Sequence, residues 1–491
     1  MSLRQLFAWL GLTAGLAQAV PAAEQERNAW PVSVTEVNDQ GVTQSWQGVG
    51  PLLFRQPLDE GRTATGFRPI YVEKRNAAGA LTEASFIYPI LVYRNDGDAY
   101  RWSLLQLVNL SGPHRGAPTQ GNYDGFVIWP FYFSRQTGSP ETSYRALFPI
   151  AGTVTGRLFN ERISWLLFPA YLRTENHGVV ATSILWPFVR TIHGAGNTGF
   201  ALWPLFGWRS QPGVYRSEFY LWPIFYDSVA GLGEPVPAES FGVLPFYSRE
   251  HSADVMSETY AWPFFGYTHR TAPYRYDETR YFWPLFVQGR GDDRYRNRWA
   301  PFYTHSVIKG VDKTWVMWPL FRQQSWVDGK VAQVRTQFLF FVYWSLEQRS
   351  TTNPQAAPAK KTHYWPLASV WDNGAGHRQV QVLSPIDVFF PTNENMNLLW
   401  SPLFALYRYD RRLPDNTRHS FLFNLVTWQR APSRREFHLG PLLGVESTAA
   451  EGSITVAGGL LRLRRNGEGG GWQPFWFDFS AKSANSAAPQ R

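Results

Sequence analysis

Four stretches decide how this chain is read: residues 260–267 are YAWPFFGY, 281–288 are YFWPLFVQ, 298–305 are RWAPFYTH and 316–323 are VMWPLFRQ. Each brings together an aromatic or small residue, a proline and large apolar residues. Turn-forming residues lie between them, at Arg270-Thr271-Ala272-Pro273, Gly289-Arg290-Gly291-Asp292-Asp293 and Lys309-Gly310-Val311-Asp312. The cassettes recur about every 19 residues, a period that marks a repeat architecture.

Outward from this centre the pattern is dense over residues 126–345, with cassette prolines at Pro130, Pro149, Pro169, Pro187, Pro204, Pro223 and Pro245 before the four quoted copies. Weaker copies lacking Trp occupy 45–125, as at Gly50-Pro51-Leu52-Leu53-Phe54 and Tyr88-Pro89-Ile90-Leu91. Residues 350–361 read as a Pro/Ala loop or linker. The series resumes over 362–480 with Trp365-Pro366, Pro385, Trp400-Ser401-Pro402 and Pro441. Residues 24–480 are therefore expected to form one repeat-built unit. Residues 481–491, small and polar, are expected to be a disordered tail.

Composition points the same way. Of 491 residues 44% are apolar and 16% aromatic, with 35 Pro, 41 Gly, 23 Trp and no Cys. Aromatic residues favour strands, and frequent Pro and Gly disfavour long helices. The fold class expected is all-β, an antiparallel meander in which each repeat is one long strand and one turn. Turns are expected near residues 212, 272, 291 and 311. About five turn residues per repeat leave strands of roughly 14 residues, and about 20 strands in all.

Within a cassette such as Tyr281–Val287 apolar residues occupy both parities, so neither face is wet there. Alternation returns outside it, as in Tyr274-Arg275-Tyr276-Asp277. With the cassette in mid-strand, a row of prolines must kink the sheet, because Pro has no N–H for the ladder. The alternative makes each cassette a turn between two short strands. A large closed barrel removes the sheet edges and is the architecture expected. A hairpin solenoid or bladed array, and a barrel-like shell peripheral to a membrane, stand as alternatives. At this density the Trp rows read as core rather than as a sugar-stacking platform.

Residues 1–23 read as a secretory signal: Arg4, the apolar run Leu6–Leu16, and Ala17-Gln18-Ala19 as cleavage site. A Cys-free, strand-rich exported chain suits the outer membrane or periplasm of a Gram-negative-type bacterium. The formal net charge of +9 is spread over turns and flanks. The partners expected are outer-membrane lipid or an anionic envelope glycan, and no nucleic acid.

No constellation rises to a reaction. Gly194-Ala195-Gly196-Asn197-Thr198-Gly199 matches the dinucleotide fingerprint, but a strand cassette follows where a helix is required, so it reads as a hairpin turn. Arg290-Gly291-Asp292 reads as a repeat turn. The ten histidines, among them His193, His251 and His269, show no metal-ligand spacing, and no catalytic, cofactor or metal residue is assigned. The period resembles that of cell-wall-binding hairpin repeats, but those lack the Trp-Pro-aliphatic-aromatic core, so no family follows. The functional expectation is an outer-membrane-associated β-barrel with a transport or structural role. The alternative is a secreted or periplasmic repeat protein that binds glycan or another envelope component.

Overall fold

The computed structural model describes residues 25–37, 43–114, 124–449, 451–466 and 471–475. The signal reading of 1–23 and the tail reading of 481–491 concern residues outside this set. The protein is all-β, and its described residues form an antiparallel meander of 45 strands. They belong to two compact units. One comprises residues 1–88, 328–337 and 341–491, and the other residues 89–327 and 338–340.

The strand count corrects the expected one. Strands are three to eight residues long, because each repeat holds two short strands and two turns. The turns expected at 212, 272, 291 and 311 are present, as between Phe206–Gln211 and Tyr215–Tyr220. The cassettes are turns as well. Leu205 N–H donates to Leu202 O at 2.8 Å, and Ile224 N–H to Leu221 O at 2.8 Å, so Trp-Pro fills the two central positions of a four-residue reversal. Proline costs no ladder bond at such a tip. Among the described residues, the first strand, Gln25–Ala29, pairs with Ser33–Val37, and the last, Gln473–Phe475, with Leu461–Asn466. No pairing joins these two, so the ladder does not close into the barrel that was expected.

In the second unit the meander gives the sheet two unlike edges. Cassette turns line one edge, and Gly/Asp turns such as His177-Gly178, Asp292-Asp293 and Lys309-Gly310 line the other. Its buried side chains, including Ala146, Val154, Ile163, Trp165, Ala181 and Val287, share one face, called inner here. Neighbouring strands crowd that face. A Cβ on Gly266 would meet Glu258 O at 2.1 Å, and one on Gly207 the Phe219 ring at 2.5 Å.

In the first unit, residues 383–406 leave the meander. The helix Glu394–Leu399 is capped by Asn393, whose side chain accepts from Met396 N–H at 3.1 Å. Leu398 and Leu399 close an apolar cluster with Phe54, Ala64 and Val72. Arg68, 1% exposed, donates to Leu398 O at 2.6 Å and to Pro51 O at 2.7 Å, with its guanidinium 3.8 Å above the Phe54 ring. The repeat reading of Pro385 and Trp400-Ser401-Pro402 is corrected here: the Asn393 cap and the helix-forming Met396, Leu398 and Leu399 override the period.

Candidate functional site

The cassette tips are exposed. Trp129 is 59% accessible, Phe246 72% and Trp318 57%. The reading of the Trp rows as core is therefore corrected, since residues at a reversal have no strand beyond them to cover them. Next to the tips, on the outer face, one register position is apolar in strand after strand. The row runs Leu166, Tyr171, Ile184, Val189, Leu202, Phe206, Tyr220, Phe225, Val243, Tyr247, Tyr260 and Phe265, each paired with the next. It resumes with Phe282, Phe286, Trp299, Tyr303, Val316 and Phe321. Many of these side chains are largely exposed, Ile184, Tyr220 and Trp299 among them. Exposed apolar surface this continuous marks an interaction site.

One step further from the edge the outer face is mixed: Phe200, Trp208, Phe241 and Tyr267 share the row with Glu218, Asp227, Arg249, Glu258, Asn297 and His305. Trp299 Nε1–H donates down to Asn297 Oδ1 at 2.7 Å, and Tyr260 to Glu258. The wholly apolar part of the belt is thus one turn and one residue deep, and Trp299 and Tyr260 turn their polar atoms away from the tips.

The inner face behind the belt is basic. Over the strands from Val189–Gly194 to Phe321–Asp328, its two rows nearest the tips carry Arg190, Arg209, Arg280, Arg296, Arg298, Lys313 and Arg322 against Glu250 and Glu278. Burial, then Arg209, lowers the Arg190 pKa. Glu278 is held by Arg296 at 3.1 Å and Arg280 at 3.9 Å.

The first unit encloses a polar interior. Glu26, 1% exposed, accepts from Arg418 Nε at 3.0 Å and from Thr427 Oγ1 at 2.6 Å, and its own N–H donates to Glu436 Oε2 at 2.9 Å. Arg418 also meets Glu36 at 3.2 Å, and Arg412 meets Glu36 at 2.9 Å. Burial alone would raise the Glu36 carboxyl, but Arg412 and Arg418 outweigh it and hold the pKa at about 2. A cavity of about 360 Å³ lies against this network, lined by Gln47, Arg408, Asp410 and Asn424.

A second cavity of about 490 Å³ in this unit is lined by Lys361, His363, Trp371, Asp387 and Ser401. His363 is 1% exposed and neither ring nitrogen has a hydrogen-bond partner. Burial, then Lys361, lowers its pKa to about 4, so the ring is neutral at pH 7. Asp387 accepts from Ser384 and from Ser401 Oγ, the latter at 3.1 Å, which leaves it oriented rather than free. No spacing in the sequence announces this group.

The motifs singled out in sequence lie elsewhere. Gly194–Gly199 spans the hairpin between Val189–Gly194 and Asn197–Leu202. Arg290 and Gly291 end a strand and Asp292 begins the following turn. His269 bonds Asp277 across strands, His251 pairs in register with Glu239, and His193 pairs with Val180 and Thr198. Among the described residues no three His, Asp or Glu side chains gather as metal ligands, and no helix is long and apolar enough to cross a membrane. No protein-family model matches the chain, and no curated protein matches it either.

Proposed function

We propose that this is an exported envelope protein that sits on the outer membrane by its aromatic edge, in a structural or transport role. The observation that carries the reading is the apolar register row beside the exposed cassette tips, interrupted once between Phe265 and Phe282. Trp and Tyr favour the membrane–water interface, where a ring can be dry and its N–H or O–H wet. The Trp299–Asn297 bond has that arrangement.

Depth favours lying on the bilayer over crossing it. A spanning strand needs about 9–11 residues and an apolar band about 25 Å tall. Here strands such as Tyr215–Tyr220 have six residues, and charge begins at the second outer row with Glu218 and Asp227. A belt of one turn and one residue suits burial by about 5–10 Å, the depth of an interfacial element.

The test is flotation of the full-length protein with phosphatidylcholine vesicles, together with tryptophan quenching by lipids brominated at graded depths. Co-flotation with strongest quenching near the headgroups is expected. A protein that stays in the soluble fraction with unquenched tryptophan would overturn the reading. The glycan-binding alternative rests on the cavity that holds His363 and Trp371, and would then lead.

A further inference from the structure

At the polar edge of the second unit two arginines are gathered onto one aromatic ring. Arg270 ends the strand Phe265–Arg270, and Arg294 begins the strand Arg294–Trp299. Tyr274 belongs to the short connection between Phe265–Arg270 and Tyr276–Phe282. The Arg294 guanidinium carbon is 3.7 Å from the Tyr274 ring centroid, and that of Arg270 is 5.3 Å from it. The two carbons are therefore no farther apart than the sum of those distances. Both arginines and Tyr274 line one cavity of about 240 Å³, together with Tyr276, Glu278 and Arg296.

In register, Arg270 pairs with Tyr276, Tyr276 with Gly291 and Gly291 with Arg294, so all four share the inner face. The two positions between the arginines leave the space above them open. A Cβ on Gly291 would run into Arg275 O, so that position carries no side chain. Tyr276 leans across Gly289, where an added Cβ would strike its hydroxyl, and donates to Glu278 at 2.7 Å. No carboxylate answers the two charges. Glu278 is taken by Arg296 at 3.1 Å and Arg280 at 3.9 Å. Asp277, on the other face, bonds His269, Asp254 accepts from Thr271 at 3.3 Å, and Asp292 accepts from the Arg275 N–H at 3.0 Å. Neither the Arg270 nor the Arg294 guanidinium makes a hydrogen bond or an ion pair among the described residues.

We infer that Arg270 and Arg294 form, on Tyr274, a binding site for a dianionic phosphate group. The site stands independently of the membrane reading. Stacking occupies the face of a guanidinium and leaves its edge of N–H donors free, and that edge fits two phosphate oxygens at once. Two like charges this close repel each other, and a dianion answers both where a carboxylate answers one. Whole small molecules take cavities of about 300–1,000 Å³, so this one suits the charged group alone, with its carrier in solvent. Position excludes a headgroup of any bilayer met by the cassette tips. Arg294 and the belt residue Trp299 are the two ends of one six-residue strand, about 17 Å apart at the usual rise. The phosphate is therefore the free ion or an ester on a sugar, and both present the same dianion.

Isothermal titration calorimetry of the full-length protein with glucose 6-phosphate, inorganic phosphate and glucuronate tests the site. Binding of glucose 6-phosphate is expected, and Arg270→Gln and Arg294→Gln should each weaken it about tenfold. Arg275→Gln is the control for diffuse charge: Arg275 reaches Asp277 on the other face at 3.9 Å, and its loss should leave the affinity unchanged. Tighter binding of the ester than of inorganic phosphate assigns a phosphorylated sugar, and equal or weaker binding assigns the free ion; both keep the site. Glucuronate bound as tightly as the phosphates, an equal loss in Arg275→Gln, or no heat of binding with either phosphate would overturn it. A second readout needs no variant. Inorganic phosphate should slow the modification of Arg270 and Arg294 by phenylglyoxal, read by mass spectrometry, and leave Arg275 unprotected. Unprotected Arg270 and Arg294 would likewise overturn the site. No measurement here involves lipid, so every outcome leaves the membrane reading untouched.

Discussion

The backbone N–H of Trp222 donates to the carbonyl oxygen of Pro204 at 2.7 Å. The two residues belong to successive cassettes on one edge of the sheet, and the same bond joins Trp186 to Pro169 and Trp318 to Pro301, each at 2.7 Å. Proline has no N–H to offer, but at a turn tip only its carbonyl needs a partner. The Trp-Pro tips thus extend the ladder beyond the strands. This continuity holds the aromatic side chains in an ordered row rather than on independent loops.

The residue before several Trp-Pro steps is left-handed, with φ 43° at Ala261 and 48° at Leu221. A side chain there costs roughly 1–2 kcal/mol that glycine avoids. Ala261→Gly is expected to stabilise the protein by about 1 kcal/mol, a gain reduced by the greater freedom of glycine in the unfolded chain. Equilibrium denaturation measures it, and a clear loss of stability would contradict the backbone geometry.

Exposure reverses the ranking that the Trp rows suggest. Trp262 is 45% exposed, whereas Trp165 is 7% exposed among Tyr144, Val154 and Ile163. Trp165→Ala should cost roughly 3–5 kcal/mol. Trp262→Ala should cost less than about 1 kcal/mol, and its effect should appear in vesicle partition. Equal denaturation midpoints for the two variants would show that the edge is covered in solution.

His363 sets an acid-side window. Its folded pKa, about 4, lies below the ordinary histidine value of 6.5, so the unfolded chain takes up the proton first. Its contribution is full above pH 6.5 and is lost as pH falls toward 4, amounting to about 3 kcal/mol. His363→Phe should flatten stability against pH between 6 and 4, the range in which about two-thirds of the drop is expected. Glu36 acts lower, between 4.5 and about 2. An unchanged slope in the His363 variant would place the ring in contact with water.

Arg418 is the shared partner of Glu26 and Glu36. Arg418→Met leaves two buried carboxylates short of a counter-charge and should destabilise by about 3–5 kcal/mol. Adding Glu36→Gln should recover part of that loss, since the groups belong to one network. Strict additivity in the double-mutant cycle would argue against the network.

The chain itself determined the all-β class and the polar turns at Pro212-Gly213, Asp292-Asp293 and Lys309-Gly310. These are local properties: turn residues and strand propensity act over a few positions. The meaning of the cassette was not local. Apolar residues on both parities, as in Tyr281–Val287, fit a strand middle dry on both faces as well as a tip where both faces end, and the period is the same for both. Backbone hydrogen bonds decided it, with Leu285 N–H closing on Phe282 O at 2.8 Å. The helix Glu394–Leu399 was hidden because Pro385 and Pro402 on either side of it fell in step with the repeat. The polar interior was beyond sequence altogether. Glu26 and Arg418 are 392 residues apart, and only tertiary folding, which removes both charges from water together, makes either the requirement of the other.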